Sequence, residues 1–130
     1  MKVSKSKLVG WILSGLIAAF LILGSGVPKF IEWEGKEAMM KKLGWSTDTI
    51  FKIGFVEITV AVLFLIPKTC FIGAILLAAY LGGATATHVR IGEPFFMPII
   101  LGIVAWFALG LRDARIFTLA FGNRAAEPKP

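Results

Sequence analysis

Four apolar runs separated by short charged stretches set the pattern of this chain. The first, Leu8 to Pro28, holds 21 uncharged residues behind a basic start of Lys2, Lys5 and Lys7. The second, Thr49 to Ile66, carries Lys52 near its start and Glu57 inside. The third fills the 21 uncharged positions between Lys68 and Arg90, and the fourth runs from Phe95 to Leu111. A helix rises about 1.5 Å per residue, so about 20 apolar residues match a hydrocarbon core of roughly 30 Å. The pattern predicts an all-α, integral membrane four-helix bundle with spans at 8–28, 49–66, 70–89 and 95–111. A signal peptide competes for the first run, but its apolar core should be only about 7–15 residues long. The first run therefore reads as a span.

Residues 29–46 break the pattern. Four basic and three acidic residues interleave there with Phe30, Trp33, Met39, Met40, Leu43 and Trp45. That mixture predicts a short amphipathic interfacial helix between spans one and two. Gly44 should close it, and Ser46 or Thr47 should cap the next helix. At the other end, Arg112, Asp113 and Arg115 stop the fourth span. Residues 1–113 thus form the membrane domain, and 114–130 a cytoplasmic interfacial segment ending in a disordered tail, RAAEPKP.

Small residues suggest which faces pack. Gly10, Ser14 and Ala18 line one side of the first span. In the third, Ala74, Ala78, Gly82 and Ala86 recur every four residues and predict a close helix contact. Homo-oligomerisation through that stripe stays open.

Composition sharpens the class. Hydrophobic residues make up 57% of the 130, and mean hydropathy is +0.81. Soluble domains reach only about 45–50% even with Gly counted. The net charge of +6 sits at the ends of apolar runs, which points to the lipid bilayer as partner and not to nucleic acid. Eight basic residues fall inside and six outside if both termini face the cytoplasm, which favours that N-in, C-in topology. One Cys and one His leave no disulfide, no CxxC pair and no protein-only metal site.

Antiparallel spans bring one set of polar residues to a common end: Lys29, Glu57, Thr85, His88 and Arg90. A carboxylate at mid-membrane costs roughly 3 kcal/mol on insertion scales, so Glu57 needs a partner from Lys29, His88 or Arg90. The group reads as a ligand or polar pocket open to the outer surface, or as an ion pair that fixes helix register. No catalytic residue is assigned.

The stretch GAILLAAYLGGATATHVRIGEPFFMPIILGIVAW, with SGVPKF, LGW and GFVEITVAVLFLIPKT upstream, resembles the DoxX-like family of small bacterial membrane proteins. The resemblance spans roughly residues 8–113 and implies a four-helix bundle of the bacterial inner membrane. Members of the wider DoxX group are linked to quinone-dependent sulfur oxidation and membrane redox complexes. It therefore implies an accessory subunit that binds a quinone or lipid beside other membrane redox proteins. The alternative is a structural or chaperone-like membrane partner without a ligand. A small transporter or stand-alone enzyme ranks behind both, since no inverted repeat, phosphate loop or nucleophile motif is present.

Overall fold

The computed structural model describes residues 3–122, and these fold into helices and turns without a strand. Helix α1 spans Lys5–Ala19, α2 Lys36–Leu43, α3 Thr47–Leu65, α4 Cys70–Arg90, α5 Phe96–Arg112 and α6 Arg115–Phe121. Ser4 caps α1 by accepting from the Lys7 amide at 3.2 Å, and Ser46 caps α3 by accepting from Thr49 at the same distance. Left-handed glycines bracket α2, Gly35 before it (φ 86°) and Gly44 after it (φ 78°). A side chain at either position would strain the backbone. The amphipathic helix, its closing Gly44 and the Ser46 cap all stand where expected.

The first apolar run does not stay α-helical to its end. Gly24, Ser25 and Gly26 do not end the helix; Phe20–Gly26 widens into a π-helical segment and Val27–Lys29 tightens into a 3₁₀ turn. Two glycines flanking Ser25 tolerate this change of register, and the widened turn frees the Ser25 carbonyl for a side-chain donor. Lys29 supplies it, at 3.0 Å.

α1 packs on α5, α3 on α4, α4 on α5, and α1 more lightly on α3. Ile17 and Leu21 from the first helix meet Val60, Ala61 and Phe64 of α3, Leu77 and Leu81 of α4, and Ala105 and Leu109 of α5. The outward faces of the same helices leave Leu16, Leu23, Phe55, Ile72, Phe96 and Ile103 each at least 60% exposed. Two helices are long and apolar enough to cross a membrane, Lys5–Lys29 and Cys70–Arg90; Phe96–Arg112 is apolar but shorter. The segment expected to be disordered, 124–130, lies outside the described residues.

The small faces divide. Gly10, Ser14 and Ala18 are buried, and a Cβ on Gly10 would stand 2.8 Å from the Ala108 carbonyl oxygen. On α4 the expectation fails beyond its first residue: Ala74 is buried, but Ala78, Gly82 and Ala86 are exposed, and nothing lies within 4 Å of a Cβ on Gly82. A four-residue repeat advances about 40° around a helix at each step, so the stripe rotates off the contact. The packed face is Gly73, Ala74, Leu77 and Leu81. Gly73 makes the close approach, with a Cβ there colliding with the backbone of Leu63 and Phe64.

Candidate functional site

Glu57 lies in the middle of α3, between buried Gly54 and Ala61, and is itself 1% exposed. Its Oε2 accepts from Lys29 Nζ at 2.6 Å. That ammonium also donates to the Ser25 hydroxyl (2.9 Å) and carbonyl, so all three of its protons have acceptors. The ion pair is therefore well satisfied, as a buried pair must be to offset its desolvation. The Tyr80 phenol of α4 faces the same carboxylate.

Above this pair a cavity of 860 Å³ opens between the end of the first helix, the start of α3 and the end of α4. α2 roofs it with Met39, Met40 and Leu43, while Ile50, Ile53, Ala79 and Gly83 form its apolar floor. Lys29, His88 and Arg90 line it, together with Tyr80 and Thr87. Its size falls within the roughly 300–1,000 Å³ that ligand pockets occupy.

Each polar lining group is held differently. Arg90 donates to the Leu43 carbonyl at the end of α2 and stacks over Trp45, 5.4 Å from the ring centroid. Gly44 leaves room for that approach, since a Cβ there would crowd the guanidinium at 3.3 Å. His88 Nδ1 is buried and finds no hydrogen-bond partner among the described residues. Leaving such a group unsatisfied costs about 1–3 kcal/mol. Beside it, Lys42 of α2 is paired with Glu93 of the α4–α5 turn. That hydrogen bond and the lysine charge hold the Glu93 carboxyl below its usual range.

Of the residues expected to share a pocket, Lys29, His88 and Arg90 do line one cavity. Glu57 sits behind Lys29 and is not part of the lining. Thr85 does not belong to it. Its hydroxyl donates back to the Leu81 carbonyl at 2.7 Å, and its side chain lines a second, almost wholly apolar groove with Gly82, Pro98 and Gly102. At 100° per residue Thr85 falls with Ala78 and Gly82 on the α5 side of the helix, opposite Gly83 and Arg90. Among the described residues no three His, Cys, Asp or Glu side chains converge as metal ligands would.

A second polar network, at the opposite end of the helices, escaped the sequence reading. Arg112 is 8% exposed and donates to the Phe64 carbonyl (2.9 Å), the Leu65 carbonyl (3.3 Å) and the Ser14 hydroxyl (3.1 Å). Its guanidinium also lies over Trp11, 3.9 Å from the ring centroid. These are the free carbonyls at the end of α3, where a cation is favoured by the helix dipole. Its position at the end of an apolar run looked like that of a membrane anchor, and only the packing shows that it points inward.

Neither a search of curated proteins nor one of solved structures returned a match. A family model, the DoxX-like family, matches residues 12–108, a stretch that takes in α2 to α4 whole and most of the length of α5. Three quarters of the chain, including Lys29, Glu57, His88 and Arg90, thus fall inside one family pattern, and the chain belongs to the DoxX-like family.

Proposed function

We propose that this chain is a multi-pass membrane protein of four spans that binds a small amphiphile in the cavity beneath α2. The observation that carries the reading is the cavity itself. It is an apolar chamber of 860 Å³ with Lys29, His88 and Arg90 on its wall. Exposed Leu, Ile and Phe side chains around the long helices support the membrane setting, since water-facing apolar patches of that extent are rare. Together with membership of the family, the two long apolar helices point the same way. α3, with Asp48, Lys52 and Glu57, and α5, with 17 residues, supply the remaining spans. On this reading both termini face the cytoplasm of a bacterial inner membrane. The cavity lies at the outer ends of the helices, with α2 at the interface. A quinone or lipid bound there would suit an accessory subunit of a membrane redox system.

Native mass spectrometry of the chain extracted in mild detergent tests this. A retained small molecule that is lost on Gly83→Leu, which pushes a side chain into the cavity, is the expected result. A chain without any bound molecule that co-purifies one protein stoichiometrically would instead establish the structural-partner reading. The completeness of the Lys29–Glu57–Ser25 network favours that second reading for the ion pair, whatever the cavity does.

A further inference from the structure

The charges around the cavity do not cancel. Lys29 is neutralised by Glu57, and Lys42 beside the mouth by Glu93. Arg90 has no carboxylate within 4.0 Å among the described residues, and no Asp or Glu lines the cavity. The cavity wall therefore carries one positive charge, on exposed Arg90, without a carboxylate partner among the described residues.

Arg90 is also underused as a donor. A guanidinium offers five N–H groups, and this one commits a single nitrogen to the Leu43 carbonyl. Its charge lies over the Trp45 ring, 5.4 Å from the centroid, and the Leu43 bond tethers it at the end of α2, with its other donors exposed. A planar fork with free parallel donors is matched best by a carboxylate, which can accept two of them.

We infer that the cavity takes a single-chain amphiphile with a monoanionic carboxylate head, of the fatty-acid class, with Arg90 receiving the head. This rests on the reading of the cavity as an amphiphile site. A single negative charge balances Arg90, and the alkyl chain lies along Ile50, Ile53 and Gly83 beneath the methionines of α2. A dianionic head would leave a charge unmatched, and a neutral head would leave Arg90 unmatched.

The test compares palmitate with hexadecanol, which has the same chain and no charge, on the full chain in a neutral detergent at alkaline pH. Native mass spectrometry reads occupancy against concentration. The expected result is one palmitate per chain, bound at least about tenfold more tightly than hexadecanol, the equivalent of one charge-assisted contact. Arg90→Gln should abolish the difference, and Arg90→Lys should retain part of it, with thermal melting used to confirm that each variant is folded. Equal affinity for the two probes, or a palmitate preference that survives Arg90→Gln, would overturn the assignment of the head while leaving an occupied cavity. Binding of neither probe, or binding untouched by Gly83→Leu, would instead remove the cavity reading beneath it.

Discussion

Arg112 at one end of the helices and Lys29 at the other are both cations drawn into apolar surroundings, yet Arg112 is enclosed by backbone carbonyls while Lys29 borders a cavity. Around Arg112 the backbones touch. Gly10 lies against Ala108 and Arg112, and Gly73 lies against Leu63 and Phe64, so the guanidinium is gripped by carbonyls and by the face of Trp11. Around Lys29 the packing is close on the α3 side, where a Cβ on Gly54 would stand 3.0 Å from the Lys29 Cβ, and open on the other. The Lys29 side chain is 15% exposed beside a cavity, and a Cβ on Gly83 would meet nothing within 4 Å. The closed end holds its cation with neutral carbonyls and leaves no room for anything else. The open end needs a full counter-charge, Glu57, to keep a cation beside a chamber that has space for a guest. Burial of charge serves cohesion in the first case and shapes a site in the second.

The sharpest way to break this contrast is to add volume at each end. Gly73→Leu should destabilise the fold by about 3 kcal/mol or more, because backbone atoms cannot make way for it. Gly82→Leu, on the exposed stripe, should leave thermal stability in detergent almost unchanged. Similar melting temperatures for the two variants would mean that the close contact of α4 has been misplaced.

Removing a polar partner at each end should give a smaller but still unequal loss. Arg112→Ala strips hydrogen bonds from the end of α3 and should cost about 3 kcal/mol, since bonds to a charged group contribute about 1.5–3 each. Glu57→Leu should cost less, roughly 1 kcal/mol, because Lys29 can swing toward the cavity and reach water. Glu57→Gln keeps the shape and should cost no more than Glu57→Leu. Denaturation of the three variants in one detergent decides the order, and a greater loss for Glu57→Leu than for Arg112→Ala would reverse the comparison.

The smallest effect concerns the latch that ties α2 to the turn before α5. Glu93 has its pKa lowered in the folded chain by Lys42, so its contribution is full above the unfolded value of about 4.3. It is lost as the pH falls through the lower folded value. Acidification below that range should loosen α2, raising amide exchange across Lys36–Leu43 while α3 and α4 stay protected. Glu93→Gln should show the raised exchange already at neutral pH. High salt should mimic it in part, because the pair is exposed and screened.

Most of the architecture was legible in one dimension because it follows from local rules. Runs of apolar residues give helices, Gly44 closes α2, and Ser46, one of two candidates with Thr47, caps α3. Lys29, His88 and Arg90 could be placed at one end by counting antiparallel runs, and the cost of leaving Glu57 alone called for a partner among them, though only the packing selects Lys29. What could not be read was the rotation of each helix about its axis. The small stripe of α4 matched a packing motif, but its four-residue spacing carries it 40° further from the neighbour at every step. Only the observed contact shows that Gly73 and Leu77, and not Gly82 and Ala86, face inward. The same uncertainty put Thr85 in the wrong chamber and left Arg112 looking like an anchor. Composition and periodicity determined that this chain makes long apolar helices with a polar end. Which way those helices turn, which cations are gripped and which border a cavity, was decided by the packing of one helix on another.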